Sequence, residues 1–589
     1  MFCFYLLSSH KIPRDSTRSG HLRYNIHGNY VGELSKLLSN ASKKPTATRR
    51  GRIFRETLTA YLFILPASAI IFTFGIFPVG FAFFVSLHNW RRFPDEYIGI
   101  DNYTRALGNL GFVLFFWLGL GLVVYAALML YRVWQRASGK RSDLAYLMPG
   151  VAVAAAIALF VNWFFKLLPA VLEIPQRLPR GELRDRGKFI GEFFKSFTLP
   201  EVLDAALPMA VAVVVALALT MAMMRLVKAQ KPVTILFRAT MAAFAAIGGV
   251  WLLQLTIQEI DLAIETARAE GEELAVWSQT ILISAGVALL AAAFGVWQKA
   301  VRDTSDRRFV IFSLLAIQLA LGGYLLVSQL PAVLTAADDD LMQGFWVTAL
   351  YVAGTVPVQL SLALGLAALL FRTAKGKAIF RIVYFLPYIT PFAATAVVFS
   401  VLFSNRDESP INRLLGIFGI EPQTWLLEPK PVNELIFGVD LPRIIEGPGL
   451  ALLVIIIWST WTYVGFDIVV FLAGLGNISP EFYEAAQIDG ASPWKAFRHI
   501  TLPLLSPTTF FLSLIAIIGT FQAFTQIWIM RRPASYDAVD TVGVYLYEVI
   551  ADANPRYGFG SAMAFVLFGL ILIVTLLQNR VMGRKVFYG

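Results

Sequence analysis

Apolar runs of roughly 20 residues recur along nearly the whole chain, and no other feature constrains the fold so tightly. As a helix, each run is long enough to cross a ~30 Å hydrocarbon core. Twelve such spans are expected, at 58–86, 111–134, 145–170, 204–226, 233–256, 276–298, 309–331, 345–371, 383–404, 450–474, 505–529 and 558–579. They fill most of the 589 residues and leave little room for a soluble domain. Composition agrees: 57% of residues are hydrophobic and 15% charged. A soluble protein with that excess would have no way to hide it.

The net charge of +11 raises the question of nucleic acid. The basic residues, however, fall in short clusters between apolar runs instead of on one patch, the pattern of cytoplasmic anchoring charges. Nucleic acid is therefore not an expected partner, whereas membrane lipid is. Cys3 is the single cysteine, so an internal disulfide is excluded. The apolar stretch Met1–Leu7 has no basic region before it and does not read as a cleavable signal. The polar stretch His10–Arg50 reads as a poorly ordered tail.

Charge also predicts orientation. Lys43, Lys44, Arg49, Arg50, Arg52 and Arg55 place the N-terminal flank inside. Inside loops then recur at Arg132–Arg141, Arg225–Lys231, Lys299–Arg308 and Arg372–Arg381. The loops between them are acidic, with Glu259, Asp261, Glu265, Glu270, Glu272 and Glu273 in one and Asp338, Asp339 and Asp340 in another. The loop 171–203 mixes both signs, but translocation is less sensitive to charge in longer loops. Both termini are expected in the cytoplasm of a multi-pass protein of the cytoplasmic (inner) membrane.

After the tenth span the chain reads Ile478-Ser-Pro-Glu-Phe-Tyr-Glu-Ala-Ala-Gln-Ile-Asp-Gly-Ala-Ser-Pro-Trp-Lys-Ala-Phe-Arg-His-Ile-Thr-Leu-Pro-Leu504. This predicts two short helices joined by a bend. Ser479 and Pro480 start the first, and Gly490 ends it in the left-handed conformation. Ser492 and Pro493 start the second, and Pro503 is expected to close it before the next span. Phe482, Ala485, Ala486 and Asp489 share one stripe of the first helix. On the second, Trp494, Phe497 and Ile500 lie together beside Lys495 and Arg498. Such a hairpin suits a groove in a soluble partner, and helix physics alone equally allows an amphipathic segment lying on anionic lipid.

The order Glu484-Ala485-Ala486, three residues, Gly490, nine residues, Ile500-x-Leu502-Pro503 resembles the EAA loop of ABC importer permeases. The resemblance extends to the sugar permeases related to the maltose and glycerol-3-phosphate systems. Tyr61–Trp90 with Ile98-Gly-Ile-Asp-Asn-Tyr103 is similar to their first span and following loop. Phe345–Phe403, including Phe385-Leu-Pro-Tyr388, is similar to the second and third. Trp461-Thr-Tyr-Val-Gly-Phe-Asp467 with Leu472-Ala-Gly-Leu475 resembles the fourth, Phe521-Gln-Ala-Phe524 the fifth, and Tyr557–Arg580 the last. Two departures stand out: Thr525 occupies a position that is acidic in many relatives, and Arg531-Arg532-Pro533 stands where they have Gly-Gly-Pro.

The fold this implies is an all-α polytopic membrane protein of about 12 transmembrane helices, a six-helix type I importer core split by an inserted multi-span segment. The expected divisions are a tail at 1–57, the first core span and outside loop at 58–107, an insert of about six spans at 108–340, and the main core at 341–589. An even number of inserted spans returns the chain to the same side and keeps the core's orientation. The resemblance further implies that the loop at 479–503 is a coupling helix seated in an ATPase, through Glu484, Ala485, Ala486, Asp489, Gly490, Ile500, Leu502 and Pro503. Its implied partners are a cytoplasmic ABC ATPase dimer, a second permease subunit, and an extracytoplasmic solute-binding protein. The chain has no Gly-x-x-x-x-Gly-Lys-Ser/Thr loop of its own, and Lys375-Gly376-Lys377 lacks that spacing. It is thus expected to be a transport subunit and not an enzyme, without cofactor or metal.

Polar and aromatic residues inside the core spans are candidates for the substrate pathway. A carboxylate within a span is costly and faces a cavity or a partner, which singles out Asp467. Gln359, Gln522 and Gln526 offer hydrogen bonds for sugar hydroxyls or for packing between helices. Trp461, Tyr463, Phe521 and Phe524 offer faces for a pyranose or for packing. Lys166 and His88 stand near span ends, where an interfacial position accounts for both. Two other functional classes compete. An ion-driven secondary transporter or channel is opposed by the loop spacing and by the lack of proton-relay carboxylates across several spans. A membrane enzyme would need an acid–base or metal cluster in its outside loops, and none is evident.

Overall fold

The computed structural model describes residues 49–91, 93, 95–137, 145–179, 185–227, 232–271, 276–302, 306–327, 337–372, 376–439, 442 and 446–583. Cys3, most of the expected tail and several charged loop residues, Lys140, Lys228 and Lys375 among them, lie outside these. The chain forms two compact units, Met1–Val79 and Gly80–Gly589. In the first, α1 (Arg49–Ile71) passes into a π-turn at Phe72–Ile76, where the Phe77 N–H donates to the Phe72 carbonyl. Pro78 has no N–H to offer the carbonyl four residues back, which favours the wider turn.

The second unit is helical throughout, and among the described residues strand pairing is limited to isolated bridges. In chain order its main helices begin with α2 (Phe77–Ser86, completed from the first unit), α3 (Asp101–Leu107), α4 (Leu110–Ala137) and α5 (Leu147–Leu172). They continue with α6 (Pro200–Leu226), α7 (Pro232–Glu270), α8 (Val276–Arg302) and α9 (Asp306–Val327). Then come α10 (Asp339–Arg372), α11 (Lys377–Ile389), α12 (Phe392–Leu402) and α13 (Leu450–Gly476). The last are α14 (Pro480–Ile488), α15 (Pro493–Leu504), α16 (Ser506–Phe521), α17 (Thr525–Met530), α18 (Val542–Ala551) and α19 (Tyr557–Val581). Among the described residues, ten helices are long and apolar enough to cross a membrane, and two bent pairs raise the number to 12.

Burial picks out the centre. In α13, 61% of the most apolar window is buried, against 33% or less in the other spans. Its neighbours α10, α11 and α16 pack around it. Trp458, Ile455 and Ile468 are fully enclosed there, while Val397, Val398 and Leu369 face outward, as lipid-facing side chains do. The helices α4, α5, α6 and α7 pack as a second group, and α8 pairs with α9. Small residues set some of these distances: a Cβ added at Gly249 of α7 would stand 2.8 Å from the Gly119 carbonyl oxygen of α4. Leu252 and Leu255 of α7 share one apolar cluster with Leu87, Ile100 and Tyr103, which follow α2.

Four expectations about boundaries need correction. The span at 383–404 is not one helix but the pair α11 and α12, bent by 94°. Pro391 cannot donate to the carbonyl four residues back and forces Thr390 to be extended (ψ 139°), so the helix must stop. The span at 505–529 ends at Phe521, and the chain restarts as α17. The helix predicted at 233–256 runs on to Glu270, because Ile260, Ile264 and Ala267 continue its apolar stripe and no breaker intervenes. Glu259, Asp261 and Glu265 therefore lie on a helix and not in a loop. Finally, Pro503 does not close α15: a π-turn at Phe497–Thr501 absorbs it, and the 63° bend falls at Leu505.

Candidate functional site

Two places gather the residues singled out from sequence. The first is the hairpin α14–α15. Ser479 occupies the N-cap of α14 with Pro480 following, although its side chain caps no N–H. At the other end Gly490 adopts φ +72°, and Ala491 and Gly490 donate to the carbonyls of Ala486 (2.8 Å) and Gln487 (3.1 Å). These are the two bonds of a Schellman stop, which a left-handed residue makes possible. Ser492 then caps α15, its hydroxyl accepting from the Lys495 N–H. Tyr483 and Thr501 share a hydrogen bond of 3.0 Å that ties the two helices together. Trp494 stacks on Phe497 at 5.6 Å.

The hairpin has an inner and an outer face. Tyr483, Ala486, Gln487 and Phe497 turn inward onto a groove of about 350 Å³, shared with Ala368 and Phe371 of α10 and Leu475 of α13. Glu484, Ala485 and Asp489 are exposed, and beside them Phe482, Ile488 and Trp494 are 53%, 87% and 67% exposed. Ala485 and Ala486 therefore point to different faces. Ile500 and Leu502 are half-buried, and Pro503 is exposed. The outer face is thus an exposed cluster of large apolar side chains rimmed by charge.

The second place lies between the central spans. Gln359 of α10 donates to Asp467 of α13 at 2.8 Å, both residues being buried. They line a cavity of about 120 Å³ with Tyr463, Tyr388 of α11, and Ala516, Gly519 and Thr520 of α16. The carboxylate, whose burial alone is costly, is met by an amide donor and opens to a space that a polar ligand or water can fill. One and two turns along α13 lies a further polar cluster. Gln526 donates to the Tyr351 hydroxyl (3.1 Å), which also pairs with Ser459. The buried hydroxyls of Thr355, Thr460 and Thr462 have no hydrogen-bond partner among the described residues. The α10–α13 interface thus carries unused hydrogen-bonding capacity.

The structure separates the other candidates from that cavity. Trp461 packs on Phe399 at 5.3 Å and is 41% exposed. Phe521 is buried in an apolar cluster with Phe559 and Met563, and Gln522 is exposed. Phe524 stacks with Trp528 and Tyr547. Arg531, one of the departures noted in the sequence, lies 3.9 Å over the Trp528 ring and pairs with both Asp540 and Glu548. Sequence reasoning missed Tyr351, Ser459 and Tyr388 as cavity or cluster residues. Tyr388 stood within the quoted Phe385–Tyr388 motif, but Tyr351 and Ser459 carry no local signal.

Comparison with known proteins adds a family. A model described as the binding-protein-dependent transport system inner membrane component matches residues 359–586. The arabinooligosaccharides transport system permease protein AraP of Bacillus subtilis is 32% identical over 254 residues, 43% of this chain and 72% of that protein. The lactose transport system permease protein LacF of Rhizobium radiobacter is 29% identical over 246 residues, 41% of this chain and 76% of that protein. A solved structure of a bacterial alginate ABC transporter, in complex with an alginate pentasaccharide-bound periplasmic protein, is 21% identical with a TM-score of 0.37. It covers 48% of this chain and 92% of its own.

Proposed function

The chain belongs to the family of inner membrane components of binding-protein-dependent transport systems, as a multi-pass permease subunit of an ABC importer, and we propose that its cargo is a carbohydrate. The names of the relatives support a sugar or oligosaccharide. A buried site of hydroxyl, amide and carboxylate groups bordered by tyrosines supports the same class, since sugars offer many hydroxyls and an apolar ring face. In this reading a six-span core made from 58–107 and 341–589 forms the pathway, and the spans of 108–340 are an addition to it. Both termini face the cytoplasm.

Energy comes from an ATPase dimer on another chain, and a second permease and an extracytoplasmic binding protein complete the importer. The observation that carries this mechanism is the exposed outer face of α14–α15, fixed by the Schellman stop at Gly490. Phe482, Glu484, Ile488 and Trp494 are placed to meet a cleft in the ATPase. Movement of that face has a rigid route inward. α15 joins α16 across a single bend, and α16 supplies Ala516, Gly519 and Thr520 to the wall opposite Gln359 and Asp467. Closure of the ATPases on ATP would thereby shift one wall of the cavity, as alternating access around a mid-membrane site requires.

Reconstitution in liposomes with its ATPase, partner permease and binding protein tests the reading. ATP-dependent uptake of a labelled arabino-oligosaccharide or lactose is expected. Uptake driven by an ion gradient alone, without the ATPase, would overturn it.

A further inference from the structure

A second cavity lies apart from the one between the central spans. It is an open cleft of about 820 Å³, walled by Phe84 and Leu87 at the end of α2, the last turns of α5, the start of α6, and Trp251 of α7. That volume is in the range of small-molecule sites. From α5 and its C-cap it receives Asn162, Lys166 and Glu173. Spacings of four and seven residues put these three on one helical face, although α5 is otherwise apolar. Glu201, in the first turn of α6, faces the same cleft.

Lys166 is not there to neutralise a neighbour. The side chains of Lys166, Glu173 and Glu201 have neither an ion-pair nor a hydrogen-bond partner among the described residues. His88 is engaged elsewhere, its Nδ1 lying 2.8 Å from the Phe84 carbonyl. Lys166 is exposed to the cleft near the end of its span, the level at which basic side chains meet lipid head groups. The order along the helix identifies the ligand. α5 ends at Leu172, so with 1.5 Å of rise per residue Lys166 lies about 9 Å, and Asn162 about 15 Å, short of that end. Toward the outer end of α5 the cleft offers an amide, an ammonium, and then two carboxylates, with Phe165 and Trp251 as aromatic walls beside the first two. The polar part of a glycerophospholipid presents the complementary order: ester carbonyls, phosphate, head-group ammonium.

We propose that this cleft binds a glycerophospholipid with a primary ammonium head, of the phosphatidylethanolamine type. Asn162 donates to an ester carbonyl, Lys166 holds the phosphate, and Glu173 and Glu201 accept from the ammonium. An anionic lipid would meet two uncompensated carboxylates, and a choline head has no N–H to donate to them. The site is independent of the transport assignment.

Native mass spectrometry of the full chain in mild detergent, supplied in turn with phosphatidylethanolamine, phosphatidylcholine, phosphatidylglycerol and inorganic phosphate, tests it. The wild type is expected to retain phosphatidylethanolamine in preference to the others. Lys166→Gln and Glu173→Gln should each weaken retention about tenfold, the scale of one charge-assisted hydrogen bond. Equal retention of the choline or glycerol lipid, equal occupancy by inorganic phosphate, or unchanged retention by Lys166→Gln would overturn the assignment. A photoreactive phosphatidylethanolamine on the wild-type protein gives a measurement that needs no variant. Crosslinks within 162–173 or 199–202 are expected, and labelling confined to other segments would also refute the site.

Discussion

At the level of single residues, the Gln359–Asp467 pair shows how a candidate visible in sequence acquires a role. The costly group was legible as a carboxylate within a span, but its donor stands 108 positions earlier and only the α10–α13 contact reveals it. Replacing Gln359 by Leu leaves the Asp467 carboxyl buried without that donor, and should cost about 1–3 kcal/mol. Denaturation midpoints in detergent measure this, and an unchanged midpoint would mean that water satisfies the group unaided. Asp540 offers a test by pH. Its burial, opposed by the nearby Arg531, raises its carboxyl to about 7. A folded value above the unfolded one gives stability that is complete below about 4 and lost as pH rises through about 7. Asp540→Asn should therefore flatten the decline in thermal stability between those values. A slope identical to that of the wild type would sink the assignment.

At the level of elements, punctuation by Gly and Pro explains both what was read correctly and what was not. Gly490 was legible as a left-handed stop, since its neighbours on both sides start or end helices. Gly490→Val forces a β-branched residue into φ +72°, so it should disorder the hairpin and abolish ATP-driven uptake while leaving membrane insertion intact. Wild-type uptake by that variant would remove the coupling role. Gly465 carries no such signal. It permits α11 to cross α13 so closely that a Cβ would overlap the Tyr384 carbonyl. Gly465→Leu should cost about 1–3 kcal/mol or more by overpacking, lower the unfolding temperature, and separate Tyr388 from the cavity. The 94° bend between α11 and α12 and the π-turn that absorbs Pro503 were also unread. Proline announces a disturbance, but the packing around it decides whether the helix breaks, bends or widens by one residue.

At the level of the whole molecule, the order of spans and their sidedness is open to direct test. With Cys3 replaced by Ser, single cysteines at Gly490 and Ala137 should react with an impermeant thiol reagent only from the cytoplasmic side. Cysteines at Asp338 and Asn554 should react only from outside, and the reverse pattern would overturn the orientation. All 12 predicted spans have counterparts among the ten long helices and two bent pairs, because a bilayer rejects unpaired backbone and so leaves its mark as length and apolarity in the sequence alone. The hairpin was legible for a related reason: caps and stops are local, and each is written within four or five residues. What the sequence could not supply is which polar residues meet. The amide of Gln359 on Asp467, the hydroxyls around Tyr351, and the cleft that opens onto Lys166 each join segments far apart in the chain. Lipid exerts no sequence-periodic demand on the way spans pack against one another, so their partners are chosen by side-chain fit, and only the assembled bundle decides that.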